Sequence, residues 1–126
     1  MKYRVTINGS FASLNEFIGA NRTGKGRWNK GNAMKQTDQT RIVKDLRRQL
    51  KGIKIHAPVF IRYRYYEATK RRDLDNISGY FHKIFQDALV QSHLLPNDNW
   101  HYITGFSDDF YVDKGKPRIE VEIIEG

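Results

Sequence analysis

The sequence predicts an α+β fold, a single small domain in which helices pack against a mixed β-sheet. Two observations predict it. Segments of alternating polar and apolar residues stand near both ends of the chain and in its middle, and segments with apolar residues at helical spacing lie between them. Their order is strand, helix, helix, strand, helix, then strands, with no internal repeat and no linker long enough to divide domains. A chain of 126 residues is also the size of one domain with a modest core.

The opening Lys2-Tyr3-Arg4-Val5-Thr6-Ile7 alternates as a half-buried strand does, and Asn8-Gly9-Ser10 ends it. Ser13 followed by Glu16 reads as a capping box for a short helix carrying Leu14, Phe17 and Ile18. Residues 19–32 are rich in Gly, Asn, Lys and Arg, with Trp28 as the lone aromatic; this composition predicts an exposed loop. A helix is expected from Ala33 to Lys51, with Ile42, Val43, Leu46 and Leu50 as its apolar stripe and Gly52 as its stop. Val59 to Tyr66 reads as a strand with Arg62 and Arg64 on one face.

A further helix, capped by Asp73 or Asp75, is expected to run to Ser92, because Ile77, Phe81, Ile84, Phe85, Ala88 and Leu89 repeat at helical spacing. Leu95-Pro96-Asn97-Asp98-Asn99 is turn chemistry. Strands are then expected at Trp100–Phe106 and Phe110–Val112, joined through Ser107-Asp108-Asp109 as a hairpin connection or a bulge. The alternating Arg118 to Ile123 closes the set.

Composition narrows the function. The chain has no cysteine, which excludes a disulfide framework and thiolate metal sites. It shows no apolar run of membrane-spanning length and no charged-then-apolar leader, so a cytoplasmic protein is expected. Charge is divided: residues 1–72 hold 18 Lys or Arg against 4 Asp or Glu, a net of +14, and residues 73–126 hold 4 against 10, a net of −6. This polarity suggests a basic part that contacts a polyanion and an acidic part that carries chemistry. The cations are spread over several elements, which fits nucleic acid better than a membrane surface.

The densest chemical signal is Lys70-Arg71-Arg72-Asp73-Leu74-Asp75-Asn76. Two carboxylates one residue apart suit a hard divalent cation, and the cations before them suit a phosphodiester. One Asp can serve as a helix cap, which leaves the other unexplained; with the backbone extended there, both project to one side and Leu74 points into the core. Asp98 is the candidate third ligand, with ordinary turn chemistry as the alternative. Lys83, eight residues beyond Asp75, overhangs the same helix flank, either to stabilise phosphate charge or as a solvated residue that pairs with Asp87. None of His56, His82, His93 and His101 has metal-ligand spacing to another, so they read as structural or surface residues. Zinc is disfavoured, and Mg²⁺, with Mn²⁺ as a substitute, is favoured.

The run Arg71-Arg72-Asp73-Leu74-Asp75-Asn76, then Lys83-Ile84-Phe85-Gln86-Asp87-Ala88-Leu89, then Asn97-Asp98, resembles the RusA-like Holliday junction resolvases, small endonucleases of phage and prophage origin. The likeness extends over most of the chain in the order of its elements. It implies a homodimer that binds four-way DNA junctions and makes paired, symmetric nicks with Mg²⁺. Carried over, Asp73, Asp75 and Asp98 are the metal-binding aspartates. Lys83 is the helix lysine needed for catalysis if one extra helical turn separates it from Asn76. Asn97 stands where the family often has the first of two acids; its carbonyl oxygen can ligate but brings no charge.

Under this reading Arg41, Lys44, Arg47 and Arg48 track the DNA backbone, and Lys70, Arg71 and Arg72 lie beside the cut. Lys25, Arg27 and Lys30 belong to the same basic surface. Trp28 either stacks on an unpaired base at the junction or anchors its loop. Two alternatives remain open at this point. One is a basic protein that coats nucleic acid without cutting it, and the other is a nuclease for flaps or forks.

Overall fold

The computed structural model describes residues 1–22 and 30–126. Seven elements follow in the order β1 (Lys2–Asn8), α1 (Leu14–Asn21), α2 (Lys30–Gln49), β2 (Val59–Glu67), α3 (Leu74–Gln91), β3 (Ile103–Val112) and β4 (Arg118–Glu125). The strands form one four-stranded mixed sheet in the order β1-β4-β2-β3. β4 runs antiparallel to both β1 and β2, whereas β3 runs parallel to β2 and forms an edge. The parallel pair needs a crossover, which α3 supplies.

Alternation assigns the two faces of the sheet. Val5 and Ile7, Ile61, Tyr63 and Tyr65, and Ile119, Val121 and Ile123 are buried under the helices. They meet Ile42, Val43 and Leu46 of α2 and Ile77, Phe81, Ile84, Phe85, Ala88 and Leu89 of α3 in one core. The expected apolar set of α3 is thus buried in full. Polar tethers lock α2 to α3: Lys35 pairs with Asp87 at 2.8 Å, Gln39 donates to Gln91 at 2.6 Å, and Tyr80 donates to Asp38 at 2.8 Å.

Local signals set several boundaries. The Ser13–Glu16 capping box forms reciprocally and starts α1. Gly52 turns the chain at φ +75° after α2, as expected of a stop. Helix α2 is already formed at Lys30, earlier than the expected Ala33, and packs closely on the end of α1: a Cβ on Gly31 would run into the Asn21 side chain.

Two expectations are corrected. Residues 103–112 form one continuous strand, with no hairpin or bulge at Ser107-Asp108-Asp109. In that strand Asp108 faces α3 and accepts hydrogen bonds, and Asp109 stands opposite Arg64, so both carboxylates are accommodated within the sheet. The irregularity lies at Thr104, which the pairing skips between Ile103 and Gly105 and whose hydroxyl donates to the Val59 carbonyl at 3.1 Å. Leu74 does not enter the core either; it is 55% exposed, because the helix starts at that residue and turns it outward.

The two edges of the sheet differ. On β1, the Gln49 side-chain amide accepts from the Thr6 N–H at 2.9 Å and donates to the Thr6 carbonyl at 2.8 Å, standing in for a neighbouring strand. On the uncovered face, Arg62 and Arg64 do lie together, but charge there is largely neutralised in place. Glu122 sits between Arg4 and Arg62 at 3.3 and 3.7 Å, and Arg118 joins Asp113 and Glu120 at 2.7 and 2.6 Å.

Candidate functional site

The Asp73–Asp75 motif is held from below. Arg72 lies half-buried, bonded to Glu67 at the end of β2 at 2.8–2.9 Å and to the Phe11 carbonyl at 2.7 Å. Asn76 accepts from the Asn15 N–H at 3.2 Å, which ties the start of α3 to α1. Arg72 is therefore a tether that fixes the loop rather than a free cation beside it. Lys70 and Arg71, its neighbours, are exposed.

Asp73 occupies the N-cap position of α3, and its backbone carbonyl accepts from the Asn76 and Ile77 N–H groups at 3.0 and 3.2 Å. Its side chain makes no capping hydrogen bond. Asp75 follows in the first turn, exposed like Asp73. Neither carboxylate has a hydrogen-bonding or ionic partner among the described residues. The side chain of Asp73 therefore takes no part in capping, and both acids lie exposed at the positive end of the helix, which favours their negative charge.

Asp98 lies elsewhere. It borders a groove with Gln86, Trp100, Ile103 and Phe106, beside the C-terminal half of α3. Gln86 is eleven residues beyond Asp75, about 16 Å along a helix axis. Consistently, no group of three His, Asp or Glu side chains among the described residues is placed to hold a metal ion. One chain therefore presents two of the three expected ligands at one end of α3 and the third toward the other. Asn97 builds the turn that presents Asp98, its side-chain oxygen accepting the N–H groups of Asp98 and Asn99 at 2.7 and 3.1 Å.

Lys83 is exposed on α3 and forms no ion pair among the described residues, since Asp87 is taken by Lys35. The other basic candidates divide. Arg41 donates to the Asn8 carbonyl and lies 4.1 Å over the Phe11 ring, and Arg48 pairs with Asp45 at 2.7 Å. Lys30, Lys44 and Arg47 are exposed. Lys25, Arg27 and Trp28 lie outside the described residues.

Sequence reasoning missed a polar cluster beside this flank. His82 Nε2 lies 2.7 Å from Asp108 Oδ1, and the Tyr65 hydroxyl donates to the same oxygen at 2.9 Å. The imidazole packs between Tyr63 and Phe106, with ring centroids 4.7 and 4.4 Å away. Burial first, then the Asp108 charge, pushes the Tyr65 hydroxyl far up, so it remains a donor across the working pH range. The cluster clamps the edge strand β3 onto α3. The only signal for it in the sequence was the surplus of acids at Asp108-Asp109.

Trp100 is 93% exposed and borders the same groove as the exposed Phe106, and Leu74 is exposed at the start of α3. Among the described residues no helix is long and apolar enough to cross a membrane. No protein-family model matches the chain, and no curated protein sequence matches it.

Proposed function

We propose that the protein is a RusA-like, Mg²⁺-dependent endonuclease that acts as a homodimer and resolves four-way DNA junctions by paired, symmetric nicks. The observation that carries this reading is the pair Asp73 and Asp75: two exposed carboxylates without partners among the described residues, held in place by Arg72 and Asn76 and accompanied by the exposed Lys70 and Arg71. The helix dipole favours acids at these positions, but it leaves both carboxylates exposed and without a bonded partner among the described residues.

The position of Asp98 adds a requirement. A full set of three carboxylates fits Mg²⁺ only if two chains lie with their α3 helices antiparallel, so that Asp98 of one approaches Asp73 and Asp75 of the other. The exposed Leu74, Phe106 and Trp100 supply apolar surface for such a pairing. Held by these carboxylates, Mg²⁺ would supply positive charge for the scissile phosphate and a more acidic water. The chain's own residues do the rest. Lys70 and Arg71 hold backbone phosphates, and Lys83, about 12 Å along the helix from Asp75, adds charge near the reacting group. Lys44 and Arg47 extend the phosphate surface.

The dispersal of the three acids within one chain favours a second reading, a basic protein that binds branched DNA without cutting it. A nicking assay on a synthetic four-way junction with Mg²⁺ separates the two. The wild type should make paired nicks, and Asp75→Asn should bind equally well while cutting falls about a thousandfold. A wild type that binds but leaves the junction intact establishes the second reading. Flaps and forks in the same assay define the preferred branch.

A further inference from the structure

At the end of the molecule where α2 and α3 both terminate, two adjoining grooves of about 450 and 380 Å³ share Lys54, His93 and Leu94. Arg47 and Lys51 line the first and His56 the second. Among the described residues, no acid lines either groove. Arg47, Lys51 and Lys54 form no ion pair among the described residues, in contrast to the neutralised cations of the open sheet face.

Helix physics explains part of this. A cation in the last turn of a helix offsets the negative end of its dipole, which accounts for Arg47. Lys51 and Lys54 lie beyond the end of α2, where that effect has faded. His93 is harder to explain as structure. It takes φ +64°, the one non-glycine residue with positive φ among the described residues, at the position after the α3 cap where glycine fits without strain. Its N–H donates to the Val90 carbonyl at 3.0 Å and the Leu94 N–H to the Leu89 carbonyl at 3.0 Å, a helix ending that a glycine would make as well. The imidazole is thus kept, at a backbone cost, on an exposed site between the two grooves.

We infer that this groove is a further nucleic-acid contact that continues from Arg47, in which Lys51 and Lys54 hold backbone phosphates and the rings of His56 and His93 pack against the strand between them. A rim of cations without ion-pair partners among the described residues, with two imidazoles between them, is complementary to the phosphate backbone of a nucleic acid. The inference rests on the DNA-acting reading only for the identity of the polyanion. It is independent of whether the aspartates cut.

The test is binding without Mg²⁺, so that no cutting intervenes. Fluorescence anisotropy with a labelled DNA duplex measures affinity against salt for the wild type and for Lys51→Gln/Lys54→Gln. The double variant should bind about tenfold more weakly at moderate salt, and its slope of log K against log salt should be shallower by about 1.8, which corresponds to two lost phosphate contacts. Lys2→Gln/Lys116→Gln, which removes the same charge from exposed positions elsewhere, should keep the wild-type slope. His93→Gly should fold at least as stably by thermal melting yet bind more weakly. A wild-type slope in the Lys51/Lys54 variant, or an equal change in the Lys2/Lys116 variant, overturns the proposal, as does wild-type binding by His93→Gly. Nicking of a junction by Asp75→Asn reads the catalytic proposal separately.

Discussion

The two ends of α3 are built differently. At its N-terminal end, Asp73 and Asp75 stand together and are braced by side chains that reach distant parts of the chain: Arg72 to the Phe11 carbonyl and Asn76 to the Asn15 N–H, each across 61 residues. Toward its C-terminal end, a single acid, Asp98, sits in a turn organised by Asn97 and Asn99, next to an almost fully exposed Trp100. One end thus carries two exposed carboxylates on a braced segment, while the other carries a single acid and uncovered apolar surface. Under the proposed reading, the three carboxylates do not meet among the described residues of one chain, and the exposed flank is where a second chain would complete the set.

The largest effect should appear on removing that apolar surface. Trp100→Ala is expected to weaken self-association by about 2–4 kcal/mol, the range of a central aromatic in an interface. Sedimentation of the variant against the wild type checks this. A wild type that is monomeric at high concentration breaks the comparison, because the lone acid then has no partner.

Arg72→Ala should be next. It removes charged hydrogen bonds to Glu67 and to the Phe11 carbonyl, and unfolding stability should fall by about 2 kcal/mol in urea titrations. Cutting should fall further than the loss of folded protein explains, since the motif loses its brace. A smaller effect is expected from Tyr65→Phe, which removes one of two bonds to Asp108 and should cost about 1 kcal/mol. Hydrogen exchange should show the loss concentrated in β3.

Much of this architecture was legible in the sequence because it is local. The Ser13–Glu16 box, the alternation of β1 and β4 and the apolar stripe of α3 each depend on residues a few positions apart, and each forms where expected. What escaped depends on partners far along the chain. Asp108 looked like turn chemistry because its partner Tyr65 is 43 residues away. Arg72 looked like a free cation because Glu67 and Phe11 become its neighbours only after folding. Leu74 looked like a core residue under a two-residue period, and the early start of α3 replaced that period with a helical one. The candidate ligands were legible as residue types, but their distribution between the two ends of a helix is a property of the fold.

The most direct test mixes two inactive proteins. Asp75→Asn and Asp98→Asn, each unable to nick a four-way junction, are unfolded together and refolded at equal concentration. If the site joins Asp73 and Asp75 of one chain to Asp98 of another, every mixed dimer holds one site free of both substitutions. Nicking should then return, at about a quarter of the wild-type sites for random pairing, and mainly in one strand of each junction. A mixture as inactive as its parents, with mixed dimers present, contradicts a site divided between the two ends of α3.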